Sequence, residues 1–323
     1  MYERNSVILK ERNNQLKSAF GVAYSWFSAG IIAAVCLFII GTVVFFGFEK
    51  LSISFLITPP SASARDLDGS GILTPLIGTL ILTVLGIVVA LPFSLATAVY
   101  LCFYSKKGLF KDIIETAIDI LAGVPTVVIA LFSLSIFVLP QFGFLSTMIE
   151  NADGVSEKAY GKSFLVASIT MAVMILPFVI KSITEALKRV PIEYISGSYA
   201  LGATKWRTIL KIVLLCAKPG IITGTILGMG RIIGDTAIVW LTLGGTLRMT
   251  GTQPWYLPQN WLSTVKNTGS TLTTYIFYTS PAGEGNTLST AFAASLALII
   301  IIMILNILTV VLGRLGTKEI NHD

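Results

Sequence analysis

The chain has 323 residues, of which 54% are hydrophobic and only 12% charged, with a mean hydropathy of +0.81. Soluble domains carry about 25% charged residues, so polar surface is too scarce to cover a soluble globule, and the apolar stretches must face lipid as well as each other. The net charge of +6 does not indicate nucleic-acid binding, because the basic residues sit in short segments between apolar runs, where they set membrane orientation.

A bilayer core about 30 Å thick requires about 20 apolar residues in helix. Five runs meet that length: 25–48, 76–103, 117–140, 163–187 and 289–313. A sixth, 220–246, is apolar except for Arg231 and Asp235, and its length and flanks fit a span. The first run follows a charged amino terminus, but it is too long for a signal peptide and lacks a small-residue cleavage site, so it is expected to remain. Cys36, Cys102 and Cys216 form neither a disulfide framework nor a Cys-x-x-Cys metal site.

Six spans place both termini on one side. Sixteen of the 23 Lys and Arg residues fall on the side of the termini and six on the other, with Arg231 inside a span. By the positive-inside rule the termini are cytoplasmic. The expected organisation is a cytoplasmic tail over 1–24, a first span and external loop over 25–72, a five-span core over 73–314 and a tail over 315–323. The outer loops hold Pro59-Pro60 and a turn cluster at 66–69, then Glu150, Asp153 and Glu157, then Trp255, Tyr256 and Trp261. Those aromatics suit interfacial anchoring or contact with an extracytoplasmic partner.

Residues 188–219 lie between the fourth and fifth spans. Val190-Pro191 marks a helix start, with Ile192, Ile195 and Tyr199 on one stripe of a helix over 192–201. Gly202 can end it in the left-handed conformation. Thr204 can cap a second helix running from Lys205 to about Ala217 and stopping before Pro219. Small residues at Gly197, Ser198, Ala200 and Ala203 suit a helix seated in a groove of another body. Spacing alone leaves docking and a membrane-surface connector equally open.

The run Glu185-Ala186-Leu187-Lys188-Arg189-Val190-Pro191, then Tyr199-Ala200-Leu201-Gly202-Ala203-Thr204-Lys205-Trp206 and Lys218-Pro219-Gly220-Ile221, resembles the EAA loop of bacterial ABC importer permeases. That resemblance implies the type I ABC importer permease fold: all-α, six transmembrane helices, and a cytoplasmic coupling helix between helices 4 and 5. It makes Glu193, Tyr199, Ala200, Leu201, Gly202 and Ala203 the surface that docks on an ATPase subunit. Ser196-Gly197-Ser198 stands where the family has Glu-Ala-Ala, so no salt bridge from that glutamate is expected.

Further motifs follow in order: Gly71-Ile72-Leu73-Thr74-Pro75, Gly78-Thr79, Ala90-Leu91-Pro92, Asp119-Ile120-Leu121-Ala122-Gly123-Val124-Pro125-Thr126, and Gly230-Arg231-Ile232-Ile233-Gly234-Asp235-Thr236-Ala237. Together they resemble the phosphate-importer permeases, and the PstA type specifically, which Tyr275-Ile276-Phe277 with Ser280-Pro281 favours over its partner permease. The resemblance implies a homologous PstC-type permease, two ATPase subunits and an extracytoplasmic phosphate-binding protein as partners. It implies inorganic phosphate as cargo, and a bacterial inner membrane location.

An arginine near mid-span costs about 2.5–3.5 kcal/mol on insertion scales, so it faces a pathway or a partner charge. Asp235, four residues on, is expected on the same face of the helix, positioned to hold the guanidinium. Arg231 thus reads either as a cation lining an anion path or as half of a structural ion pair. Lys181 matches a family position often held by arginine and reads equally as a snorkelling lysine. Gly78, Gly86, Gly224 and Gly228 suit close helix packing.

The sequence has no Gly-x-x-x-x-Gly-Lys-Ser/Thr phosphate loop, and its one histidine, His322, lies in the tail. The expectation is a non-enzymatic subunit that binds no cofactor, with ATP used by a separate ATPase. Permeation of sulfate or molybdate through the same fold is the near alternative. A secondary transporter would call for ion-coupling carboxylates in several spans, and the spans hold Asp235 and Asp119.

Overall fold

The computed structural model describes residues 2–60, 71–106, 108–150, 156–245, 257–283 and 287–318. The turn cluster at 66–69, Asp153, Trp255 and Tyr256 lie outside them. Helix α1 (Tyr2–Phe48) runs unbroken through the expected amino tail into the first span, and α2 (Ile53–Ile57) follows. Next come α3 (Leu73–Val99), α4 (Leu109–Gly123), α5 (Thr126–Phe137) and α6 (Phe164–Lys188). The segment after α6 forms α7 (Ile192–Ala200) and α8 (Lys205–Thr208), which leads into α9 (Leu214–Gly234). Short helices α10 (Ala237–Thr242), α11 (Trp261–Lys266) and α12 (Leu272–Thr279) precede the last span, α13 (Leu288–Lys318). The described non-helical exception is a small antiparallel hairpin pairing Met148–Glu150 with Ser156–Lys158.

Among the described residues five helices are long and apolar enough to cross a membrane, and six spans result if the bent pair α4–α5 counts as one. That pair corrects the expected third span over 117–140. Its halves meet at 104°. Pro125 lacks a backbone donor and pushes its predecessor out of the helical region, and Val124 accordingly sits extended at φ −72° and ψ 129°.

The fifth span is also redrawn. The separate helix expected to stop before Pro219 does not stop there. It continues from Lys205 to Gly234 as one span of 30 residues, with a π-helical turn at Ile209–Val213 and Pro219 inside α9. Membrane helices tolerate such prolines because hydroxyl side chains and π adjustments occupy the freed backbone groups. Here the π turn ends six residues before Pro219 and adjusts the ladder ahead of it. The other end falls short of 246: the helix breaks at Asp235 and resumes as α10.

The centre of the bundle is α3, α6 and α9. Small residues let their backbones approach, as van der Waals packing in a membrane requires. A Cβ at Gly86 would meet Ile232 Cδ1 at 2.8 Å, one at Gly224 would meet Ser182 at 2.9 Å, and one at Gly228 would meet Val179 at 3.1 Å. Around them Leu82, Met171, Met174, Ile175, Val179, Ile183 and Ile232 form a buried core. A second core joins α2, α12 and α13 through Phe55, Leu272, Tyr275 and Ala294. Helix α1 leans on α13, with Phe46 stacked on Phe292 at 5.4 Å, and leaves most of its apolar surface exposed.

The start of α12 is buried against α3. The Thr271 side chain and Thr274 form a reciprocal capping box, and Leu272 N donates to Thr79 Oγ1 at 2.9 Å. Gly78 lies against the Ser270 carbonyl, with no room for a Cβ. Gly78→Ala is therefore expected to destabilise the detergent-solubilised protein by about 1–3 kcal/mol, the usual cost of overpacking. Gly230→Ala, where a Cβ meets nothing within 4 Å, should leave the melting temperature unchanged or raise it. Thermal melts of both variants beside wild type check the contrast.

Candidate substrate path and docking surface

Arg231 occupies the last turn of α9. A cation there meets the negative end of the helix dipole, a favourable placement. Its Nε donates to Met174 Sδ at 2.9 Å, and its guanidinium carbon lies 4.0 Å from the centre of the Phe178 ring. A thioether is a weak acceptor and an aromatic face binds the cation without using its N–H groups. The guanidinium is thus held from one side while most of its five donors stay available.

Asp235 does not hold Arg231, contrary to the sequence expectation. The helix ends at Gly234, so a four-residue spacing no longer places the two on one face. Asp235 is extended at φ −85° and ψ 127°, and its Oδ1 accepts from Ile238 N at 2.8 Å, capping α10 instead. No carboxylate among the described residues lies within ion-pair distance of Arg231. The ion-pair reading of Arg231 therefore finds no partner there.

Lys181 is paired with Asp119, Nζ to Oδ1 at 2.6 Å. Met174, Phe178 and Lys181 stand at i, i+4 and i+7 of α6, so they share one face. Arg231 thus packs on the α6 face that also carries Lys181, three residues beyond Phe178, while Asp235 is engaged at α10. Sequence reasoning missed Met174, Phe178 and the pairing role of Asp119. The signal for the first two was their helical spacing from Lys181.

The segment between α6 and α9 follows its sequence closely. Pro191 is the residue just before α7, and Gly202 takes φ +80°. The Thr204 side chain accepts from Arg207 N at 3.4 Å, capping α8. Glu193, Tyr199, Ala200, Leu201 and Gly202 are exposed, Leu201 to 90%, while Ala203 is half-buried. The predicted stripe divides, since Ile192 and Tyr199 face outward and Ile195 packs on the core. Ser198 is buried, its hydroxyl 2.9 Å from that of Thr208, and Ala203 N donates to Ser198 O at 3.1 Å. The segment is braced against the end of α3: Lys205 Nζ donates to the Phe103 carbonyl and sits 4.5 Å over the Tyr104 ring.

Residues 83–320 match the family described as the binding-protein-dependent transport system inner membrane component. The chain belongs to that family. Among curated relatives, it is 37% identical over 174 residues to the phosphate transport system permease protein PstA of Mycobacterium leprae, covering 54% of this chain and 51% of the relative. It is 28% identical over 218 residues to a probable ABC transporter permease protein, YqgI, of Bacillus subtilis, covering 68% and 67%. With the phosphate transport system permease protein PstC of Xylella fastidiosa it shares 29% identity over 188 residues, covering 56% and 58%. The chain spans about half the length of the first of these relatives. A crystal structure of a bacterial alginate ABC transporter, in complex with a pentasaccharide-bound periplasmic protein, has a chain that superposes with a TM-score of 0.55. It is 16% identical and covers 89% of this chain and 95% of that one, a likeness of fold.

The Ser198–Thr208 hydroxyl pair should contribute about 0.5–1.5 kcal/mol, the usual net value of a hydrogen bond. A double-mutant cycle of Ser198→Ala and Thr208→Val, read by thermal unfolding, is expected to give a coupling of that size.

Proposed function

We propose that the chain is the PstA-type permease subunit of an ATP-driven phosphate importer. The observation that carries this reading is Arg231: a guanidinium held by a thioether and an aromatic face, with donors to spare and no carboxylate partner among the described residues. Guanidinium geometry suits phosphate, and relatives named as phosphate permeases support that cargo over sulfate or molybdate. The phosphate is held loosely, since the cation must also release it.

A homologous PstC-type permease completes the path, two ATPase subunits drive it, and an extracytoplasmic phosphate-binding protein delivers the anion. The exposed face of α7 with Glu193, Tyr199, Ala200 and Leu201, ended by Gly202 and Ala203, is the docking surface for one ATPase subunit. ATP is consumed on that partner and not on this chain. ATP-driven closure of the ATPase pair moves α7, and α8–α9 carries the motion to Arg231. The excess of Lys and Arg on the side of the termini supports a cytoplasmic position for both.

Labelled phosphate uptake in cells carrying the whole complex tests the reading. Wild type is expected to take up phosphate in an ATP-dependent manner. Arg231→Ala, at equal membrane abundance, should lose about 10–100-fold in uptake, matching the 1.5–3 kcal/mol of a charged hydrogen bond. Arg231→Lys should fall between, having charge but no fork. Undiminished uptake in Arg231→Ala would make Arg231 structural, and wild-type uptake of sulfate or molybdate alone would overturn the cargo.

A further inference from the structure

Lys181 and Asp119 belong to different helices, and their contact lies beside a small apolar patch. Ile118 and Ile180, the immediate neighbours of the two charged residues, pack together with Leu101 to join α4 to α6. The ion pair stands at the edge of this patch, with the Lys181 and Asp119 side chains 55% and 64% exposed on the chain. Exposed ion pairs contribute little to stability, so holding α4 in place is a weak reason for this one. A lone lysine within a span, however, is costly, and Asp119 meets that need.

The charges on the stripe matter more. Arg231 has no carboxylate partner among the described residues, and Asp235 is engaged at Ile238 N. Two cations and the Asp119 carboxylate thus leave one net positive charge. Phe178, under the Arg231 guanidinium, is three residues, or about 4.5 Å of helix rise, from Lys181, so the long lysine side chain shares the face on which an oxyanion at Arg231 would sit. The bound anion and the Asp119 carboxylate then repel each other at short range, where charges in a protein interact strongly. Either the anion or the carboxylate can hold Lys181.

We propose that Asp119 is a resident counter-anion of the path: its carboxylate occupies Lys181 in the empty state and competes with the substrate for it. This rests on the phosphate-importer reading and deepens it by naming what keeps binding loose. Asp119 lies on α4 five residues before Val124, where the chain turns into α5 at 104°.

The test is equilibrium binding of labelled inorganic phosphate to the purified whole transporter without its binding protein. Asp119→Asn is expected to bind phosphate about tenfold more tightly than wild type and to turn over more slowly, with Asp119→Ser agreeing and Asp119→Glu close to wild type. In a Lys181→Gln background the same Asp119→Asn change should have no effect on affinity, a dependence that a merely structural tie would not produce. Unchanged or weaker binding in Asp119→Asn overturns the proposal, as does an equal gain without Lys181. Failure of both neutral variants to assemble makes Asp119 a structural tie and overturns it too. A wild-type transporter that binds no phosphate overturns the cargo instead, and the same cycle with sulfate then decides the role of Asp119.

Discussion

The close approach of α3, α6 and α9 is the constraint on which the other features rest. Lipid offers no hydrophobic drive for helices to associate, so they hold together by packing. Gly86, Gly224 and Gly228 remove the side chains that would keep the axes apart. With α9 seated on α6, Arg231 falls opposite Met174 and Phe178. Placing a bulkier residue at Gly228 would push against Val179 and Ile175 and shift the guanidinium from that seat.

Irregular backbone appears where the chain departs from simple spans, and each break has a chemical cause. Pro125 splits the third apolar run, and Gly234-Asp235 ends the fifth. Within a membrane such breaks are tolerated where protein or water satisfies the freed groups. The Asp235 carboxylate does this for the start of α10, which explains why an acidic residue stands in an apolar segment. Similarly, Thr79 supplies an acceptor to the buried start of α12. Several polar residues inside the spans thus serve the backbone, and Arg231 is set apart because its hydrogen bond to Met174 uses little of its donor capacity.

Most of the architecture was legible in the sequence, because apolar run length and caps act locally. The left-handed Gly202, the Thr204 cap and the glycine-lined contacts were all readable from residue type and spacing. The bend at Pro125 was signalled by the proline itself, but apolar composition across it mimicked one straight span. The continuity through Pro219 ran against the ordinary breaking rule, since a π turn adjusts the ladder upstream. In the site, Arg231 and Lys181 stood out as charges in apolar runs. The partner of Lys181 lies 62 positions earlier in the chain, on α4, and no local spacing encodes that pairing.

The α8–α9 helix begins just after α7 and carries Arg231 in its last turn, so a bend along it moves the guanidinium. Its softer points, the π turn and Pro219, lie in the half nearer Lys205. From Pro219 to Arg231 there are roughly 12 residues, or about 18 Å of helix. A swing of about 10° about that point would carry the guanidinium through about 3 Å, comparable to the full length of a hydrogen bond. A modest bend at Pro219 is therefore sufficient to undo one set of contacts and make another. Stiffness beyond Pro219 would set how much of that swing reaches the guanidinium.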